Sequence, residues 1–295
     1  MVNNNLYLEL IDLKIIDKNK IEEFYPYVRD NKNIPVMRCK KSGVIFLKNL
    51  DHVSNEHYTE MENFSYWESK TRVEALELTY GDDIRRFKSI SHLIENKSYL
   101  DFGCGLGGVL DMAKQVTTNV SGLEPQKNVA DNLRKLNYTI FESIEEIINN
   151  NIKFDVITLF HVFEHVPNPL EILEKIHTIL NPDGYLIIEV PNANDALITL
   201  YNLESFKEYT FWSEHLILHT KNSLKKYLKI SGFKNIKING LQRYGLSNHL
   251  YWLKDGKPGG QNIFKEINGG SIDREYFKIL NKNNLTDTII SICQK

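Results

Sequence analysis

Glycines at alternate positions follow a short apolar segment, and this combination can bind a ligand closely. Tyr99 to Phe102 is predicted to be a buried strand, and Gly103, Gly105 and Gly107 follow it. Glycine has no Cβ, so it adopts positive φ readily and lets a ligand approach the backbone. Val109 to Lys114 is predicted to be a helix whose first N–H groups point back toward the loop. The stretch therefore predicts a site for a small ligand.

Two carboxylates flank this glycine loop. Asp101 lies two residues before Gly103, and Glu124 ends the next predicted strand, which begins at Thr118. In a βαβ unit, an acid at the tip of the second strand can accept hydrogen bonds from both hydroxyls of a ribose. The glycine spacing also satisfies the dinucleotide fingerprint G-x-G-x-x-G, so a nicotinamide cofactor is the alternative. A nicotinamide site, however, has no need of Asp101.

Asp101-x-Gly-x-Gly-x-Gly with a strand-end acid resembles the S-adenosylmethionine site of class I methyltransferases. Phe160 to Pro167, which follows the predicted strand Phe154 to Phe160, is similar to the corresponding segment of small-molecule members of that family. The resemblance covers residues 95 to 240 and implies S-adenosyl-L-methionine as cofactor and S-adenosyl-L-homocysteine as product. It also implies that Ser143 and Ile144 lie beside the adenine. The expected cofactor-binding residues are Asp101, Gly103, Cys104, Gly105, Gly107, Glu124, Pro125, Ser143, Ile144, Phe160 and His161.

Histidines near these segments are candidates for a general base. Methyl transfer to a hydroxyl releases a proton, and histidine suits that role near neutral pH. Four lie in suitable regions, namely His161, His165, His215 and His219. Glu214-His215 resembles the Glu-His pair of sugar and quinone O-methyltransferases, so His215 is the expected catalytic base and His165 the second candidate. Each could instead be a histidine hydrogen-bonded within its own loop.

Strand and helix patterns alternate from Tyr99 onward, which predicts an α/β fold with a parallel doubly wound sheet. The family resemblance implies a Rossmann-like sheet of seven strands, whose last strand, Thr286 to Cys293, is antiparallel. Residues 1–95 are predicted to be an extension of a β-hairpin and helices. Residues 96–295 are predicted to be the methyltransferase domain, with an insertion at residues 243–283 that caps the substrate and can contribute to a homodimer contact.

Within the extension, alternating apolar residues predict strands at Leu6 to Ile16 and at Ile34 to Lys48, with a turn at Ser42-Gly43. Residues 54–96 are predicted to be helical. Tyr58, Tyr66 and Trp67 could close over the cofactor or be core aromatics. Cys39-x-x-Ser42 resembles a zinc knuckle that lacks its second cysteine. One thiolate cannot build a closed zinc site, so no metal is expected.

Composition and charge argue against several other classes of protein. The net charge of −2 offers no basic surplus for nucleic acid. Three cysteines form no disulfide framework, no apolar run is long enough to span a membrane, and the polar N-terminus does not match a signal peptide. A cytoplasmic protein is therefore expected.

The expected activity is S-adenosylmethionine-dependent transfer to a small-molecule acceptor. By analogy with relatives, this acceptor is a hydroxyl of a sugar, nucleotide-sugar or surface-polysaccharide precursor. The alternatives are an NAD(P)-dependent reductase, disfavoured by the missing Tyr-x-x-x-Lys pair, and a catalytically inactive cofactor-binding partner protein.

Overall fold

The computed structural model of the chain describes residues 4–53 and 71–295. Residues 54–70 of the segment predicted to be helical, which include the aromatic residues Tyr58, Tyr66 and Trp67, lie outside the described residues. Within the described ranges, no helix has both the length and the apolar character needed to cross a bilayer.

The described residues form two sheets and the helices that pack on them. The strands are β1 (Ile21–Tyr25), β2 (Val36–Cys39), β3 (Ile45–Leu47), β4 (Tyr99–Phe102), β5 (Val120–Leu123), β6 (Thr139–Phe141), β7 (Phe154–Phe160), β8 (Leu180–Pro191), β9 (Ile217–Leu218), β10 (Lys234–Leu241) and β11 (Thr288–Gln294). The α-helices are α1 (Asn5–Asp12), α2 (Arg72–Ile94), α3 (Gly108–Ala113), α4 (Lys127–Lys135), α5 (Ile144–Asn149), α6 (Pro169–Ile179), α7 (Ala196–Thr199), α8 (Glu204–Thr210), α9 (Lys221–Ile230), α10 (Leu246–Asp255), α11 (Gly260–Ile263) and α12 (Gly270–Lys282). Short 3-10 helices cover Lys18–Lys20, Phe163–His165 and Lys265–Ile267.

The larger sheet has seven strands in the order β10-β11-β8-β7-β4-β5-β6, which confirms the predicted fold class. β4 to β8 pair in parallel, whereas β11 is antiparallel to both β8 and β10. The chain builds outward in both directions from β4 and β7, which are neighbours with Phe102 opposite Leu159. Ligands of such sheets bind beyond the carboxyl ends of the strands at this switch point. The glycine loop follows β4 there, and Phe160-His161 lies at the end of β7.

Continuous burial explains why the central strands read as unbroken apolar runs. All four residues of β4 are buried, and only Asp155 of β7 is partly exposed. Helices cover both faces of a parallel sheet, so its central strands have no solvated face. The positions of β4 and β7 were accordingly predictable from sequence alone.

The predicted strand at Leu6 to Ile16 is wrong, because this segment begins with helix α1. Leu6 and Leu10 are both fully buried, and a spacing of four residues places them on one face of a helix. The Asn4 side chain accepts a hydrogen bond from the Tyr7 N–H and caps the helix. A spacing of four residues places two side chains on one face of a strand as well as on one face of a helix. The cap and the packing of the two leucines stabilise the helix.

The predicted hairpin is confirmed as β2 and β3, with Gly43 at φ +76° in its turn. It belongs to a four-stranded antiparallel sheet in the order β1-β2-β3-β9. β9 comes from the segment after β8, so the N-terminal extension is joined by backbone hydrogen bonds to the segment that carries Glu214 and His215. The insertion at residues 243–283 consists mainly of α10, α11 and α12.

Two glycines allow a matched test of packing. A Cβ on Gly122 in β5 would lie 2.5 Å from Cys104 Sγ, whereas a Cβ on Gly81 in α2 would meet none of the described atoms within 4 Å. Gly122→Ala should lower the free energy of unfolding by about 1–3 kcal/mol through overpacking. Gly81→Ala should raise it by about 0.5–1 kcal/mol through helix propensity. Urea unfolding measures both; equal midpoints for the two variants would contradict this packing.

Candidate active site

The glycine loop forms a cradle because three of its residues have positive φ. Gly103, Gly105 and Gly107 have φ values of +74°, +49° and +77°. The Gly103 and Cys104 N–H groups both donate to the Leu123 carbonyl, at 2.8 and 3.0 Å, which fixes the loop against β5. A Cβ on Gly105 would meet none of the described atoms within 4 Å. Gly105 therefore leaves open space that a ligand can occupy.

Glu124 holds the other side of this cradle. Its carboxylate accepts hydrogen bonds from the Gly105 N–H at 2.9 Å and from the Gln126 N–H at 3.0 Å. Burial raises the pKa of Glu124, and the two backbone N–H groups act in the opposite direction. The side chain faces a cavity of about 800 Å³, which we call the glycine-loop cavity. Predicted residues that line it are Gly103, Glu124, Pro125, Ser143, Ile144 and His165.

Asp101 faces a second space of about 320 Å³, the Asp101 cavity, which shares Gly103 with the first. The Asp101 carboxyl is buried and accepts a hydrogen bond from Thr158 Oγ1 at 2.7 Å. Burial raises the pKa of Asp101 to about 7. The other predicted residues that line this cavity are Cys104, Gly105, Phe160 and His161.

Three predicted cofactor residues have evident local roles. Burial raises the pKa of the Cys104 thiol well above its usual value, so the thiol is kept neutral. The Ser143 hydroxyl accepts the Glu146 N–H at 3.2 Å as the N-cap of α5. Gly107 lines neither cavity and is the N-cap of α3. Their contact with a cofactor stays a prediction.

His161 lies at the end of β7 with φ +56° and is held from both sides of its ring. Its Nδ1 is 3.2 Å from Glu164 Oε1, and its Nε2 is 3.3 Å from both Glu189 Oε1 and Arg243 Nη1. Because both ring nitrogens are engaged, His161 is poorly placed to take a proton from a ligand. Its role is better described as forming part of the wall of the Asp101 cavity.

Buried charge at this edge was not evident from the sequence. Glu189 in β8 has a side chain with 0% exposure and accepts two hydrogen bonds from Arg85, each 2.8 Å long. The guanidinium groups and His161 hold the pKa of Glu189 well below its usual value, against the effect of burial. Arg243 forms an ion pair with Asp82. These partners are far apart in sequence, so no local motif could have revealed them.

Glu164, His165 and His215 form a cluster beside the glycine-loop cavity. The His165 Nδ1–H donates to the Glu214 carbonyl at 2.8 Å, and the His215 Nδ1–H donates to the Thr210 carbonyl at 3.2 Å. A carbonyl can only accept, so in each neutral ring the proton is on Nδ1 and Nε2 is the basic nitrogen. The two ring centroids are 5.2 Å apart.

The electrostatics of the cluster keep its carboxylate charged and His215 neutral. The side chain of Glu164 has 0% exposure, yet nearby histidines hold the pKa of Glu164 down at about 2 against the effect of burial. Burial lowers the pKa of His215 to about 4. Near neutral pH, His215 is therefore an uncharged imidazole that can accept a proton.

The same three side chains place their ligand atoms within 4.8 Å of one another. They are the one group in the described part of the chain with the spacing of a cation site, and the sequence did not predict it. His219, the fourth candidate histidine, is fully buried and stacks on Phe163 with ring centroids 5.2 Å apart. It lines neither the glycine-loop cavity nor the Asp101 cavity, and it packs as a core residue.

A third space of about 670 Å³, the aromatic cavity, adjoins the other two. Trp212 lines both this cavity and the glycine-loop cavity, while His161 and Arg243 line both this cavity and the Asp101 cavity. His215 faces the aromatic cavity. One wall is aromatic, with Phe206 and Tyr209 each packed on Trp252 at centroid distances of 5.0 and 5.2 Å. Trp252 belongs to the insertion at residues 243–283, which the sequence predicts to be a substrate cap.

Comparison with known proteins agrees with this geometry. The family model described as "Methyltransferase domain" matches residues 73–238, more than half of the chain. Ubiquinone biosynthesis O-methyltransferases are similar: the one from Hydrogenovibrio crunogenus is 25% identical over 50% of this chain and 64% of its own length. The one from Actinobacillus pleuropneumoniae is 28% identical over 50% of this chain and 67% of its own. The matched part of this chain thus spans about two thirds of the length of these relatives.

A solved structure supports the fold. A SAM-dependent methyltransferase from Archaeoglobus fulgidus superposes with a TM-score of 0.50 at 18% identity, over 75% of this chain and 97% of that one. The chain therefore belongs to the methyltransferase domain family, and its fold is that of this S-adenosylmethionine-dependent methyltransferase. Membership of this family disfavours the alternative of an NAD(P)-dependent reductase. The open space beside Gly105, next to a buried carboxylate, fits an adenosyl cofactor.

Glu124→Gln should weaken binding of S-adenosylhomocysteine about 10- to 100-fold, because it removes a charged acceptor from the cradle. Isothermal titration calorimetry measures the change. Glu142→Gln is the matched control, since Glu142 follows the neighbouring strand β6 but pairs with Arg134 and lines none of the three cavities. Equal affinities for the two variants would remove Glu124 from the cofactor site.

Proposed function

We propose that this methyltransferase transfers a methyl group to a hydroxyl of a small molecule, namely a sugar, nucleotide-sugar or surface-polysaccharide precursor, with His215 as general base. The observation that carries the proposal is the position of the histidine cluster and Trp212 between the glycine-loop cavity and the aromatic cavity. A base there faces the space for an acceptor while it lies next to the space for the cofactor. The similarity to ubiquinone biosynthesis O-methyltransferases supports oxygen as the methylated atom.

Bound S-adenosylmethionine supplies a methyl group on a sulfonium that departs as a thioether when the acceptor oxygen attacks. The protein's contribution is to hold the acceptor in line and to remove its proton. His215 Nε2 takes that proton, and the Thr210 carbonyl keeps the ring in the tautomer that can do so. The buried Glu164 carboxylate stabilises the imidazolium that forms. His165 is the second candidate because a backbone carbonyl, that of Glu214, likewise fixes its tautomer.

The lining of the aromatic cavity supports a polyhydroxylated acceptor. Its aromatic wall can pack on the apolar face of a sugar ring. Buried Asp195 and Asn248 supply polar side chains for hydroxyl groups. The amide oxygen of Gln261 is buried and has no hydrogen-bond partner among the described residues, so it can accept from a ligand hydroxyl. An entirely apolar acceptor would leave the Gln261 amide oxygen unpaired, which costs binding free energy.

A cation held by Glu164, His165 and His215 is the competing use of this cluster, since it would need the same Nε2 lone pairs. A cytoplasmic location, the absence of nucleic-acid binding, and a homodimer contact through residues 243–283 stay predictions. So does the division of the chain at residues 95 and 96.

His215→Gln should lower kcat for methyl transfer about 10²- to 10⁴-fold, the range for loss of a general base, and leave affinity for S-adenosylhomocysteine unchanged. Transfer of a labelled methyl group to a panel of sugars and nucleotide sugars measures this, with catechol as the aromatic comparison. His92→Gln, on an exposed position of α2, is the matched control.

Four results would count against parts of the proposal. Full activity in His215→Gln would move the base to another residue. Transfer to catechol but to no sugar would overturn the acceptor class. Loss of activity with a chelator in the unsubstituted protein would favour the cation over the free base. Cofactor binding without transfer to any acceptor would favour the inactive partner protein.

Asp101 should make cofactor binding depend on pH. Its pKa of about 7 means that the carboxyl is mostly neutral below this pH and charged above it. If Asp101 faces the amino group of S-adenosylhomocysteine, affinity should rise as pH increases from about 6 to about 8, because only the charged carboxylate attracts a cation. Asp101→Asn should remove this rise. Calorimetry across that range checks it, and an unchanged slope in the variant would contradict the assignment.

A further inference from the structure

Arg29, in the N-terminal extension, lies at the edge of the aromatic cavity with its guanidinium fixed in place. The guanidinium carbon is 4.8 Å from the ring centroid of Trp212 and 5.7 Å from that of Tyr209. Nη1 donates to the Tyr209 carbonyl at 3.0 Å. The backbone is also anchored, since the Arg29 N–H donates to the Phe211 carbonyl at 2.9 Å. Two aromatic faces and a carbonyl thus orient a side chain that is otherwise exposed.

No carboxylate of the described residues lies close enough to this guanidinium to form an ion pair with it, although, against the effect of burial, its charge helps to lower the pKa of the adjacent Asp30 carboxyl. Arg29 makes no ion pair within 4 Å with any residue that the structure describes. The adjacent Asp30 carboxylate is instead engaged by Ser213, whose backbone N–H donates to it at 3.0 Å. A planar guanidinium whose fork is not occupied by an acid matches the geometry of carboxylate and phosphate oxygens.

We propose that the acceptor carries an oxyanion, phosphate or carboxylate, which Arg29 binds at the edge of the aromatic cavity. The proposal rests on the proposed function, because it takes this cavity as the acceptor site. Asp195 and Asp287 also line the cavity. The other arginine that lines the cavity, Arg243, is already paired with Asp82, so the charged end of the acceptor points toward Arg29 and its hydroxyl groups point away from it.

The experiment measures equilibrium binding of probes to the protein saturated with S-adenosylhomocysteine. The phosphate arm compares UDP with uridine, and the carboxylate arm compares glucuronate with glucose. Arg29→Gln removes the charge, while Arg29→Lys keeps it without the planar fork. Arg38→Gln is the matched control, because Arg38 also lies over an aromatic ring, at 4.9 Å from Phe24, but lines none of the three cavities.

We expect at least one anionic probe to bind more tightly than its neutral counterpart. Arg29→Gln should weaken that probe about 10-fold or more, the range for hydrogen bonds to a charged group. Arg29→Lys should weaken it less, and Arg38→Gln should not change it. Because the site is exposed, the effect of Arg29→Gln should shrink as salt is raised. A preference for UDP assigns a phosphate, and a preference for glucuronate assigns a carboxylate.

The inference is overturned if neither anion binds better than its neutral counterpart, or if Arg29→Gln and Arg38→Gln have equal effects. These readouts need no turnover, so they separate this inference from the proposed function. Methyl transfer that is indifferent to Arg29 would defeat the inference alone. Binding of an anion that depends on Arg29, in a protein that methylates no sugar, would defeat the proposed function alone.

Discussion

Buried carboxylates at the carboxyl edge of the central strands are the constraint on which the rest of this site depends. Asp101 and Glu189 lie near the ends of β4 and β8, Glu124 and Glu164 come after β5 and β7, and all four are buried. A buried charge is tolerated only when hydrogen bonds or opposite charges compensate for the lost water. Each of these acids has such compensation or a raised pKa. The loops around them are therefore held in specific conformations.

The compensation ties distant parts of the chain to the sheet. Arg85 reaches Glu189 from α2, and His161 lies between Glu164 and Glu189. Removing one partner of such a set would leave a buried charge unpaired, which is far more destabilising than loss of a surface ion pair. The helix that precedes the glycine loop is thus part of the site as well as of the core.

The N-terminal extension contributes to the acceptor side by a different route. Its strand β3 pairs with β9, and Asp30 accepts hydrogen bonds from Ser213. Both contacts fix the segment between β8 and α9, which carries Trp212 and His215. The extension therefore positions the proposed base, although Asp30 and Ser213 are 183 residues apart in the sequence. Its hairpin, read from sequence as a metal-free remnant, has a structural function in this arrangement.

The sequence by itself determined the features that depend on local backbone chemistry. Positive φ at Gly103 and Gly105, the acid after β5, and the buried runs of β4 and β7 all follow from residue type and spacing. The helix α1 escaped prediction because the spacing of Leu6 and Leu10 fits two periods. Only the tertiary structure decided which side chains meet. No local sequence pattern points to Glu189, Arg243 or Arg29, because their partners come from remote elements. The pKa values of Asp101 and His215 are shifted by the low dielectric of the buried edge, which exists only after those elements pack.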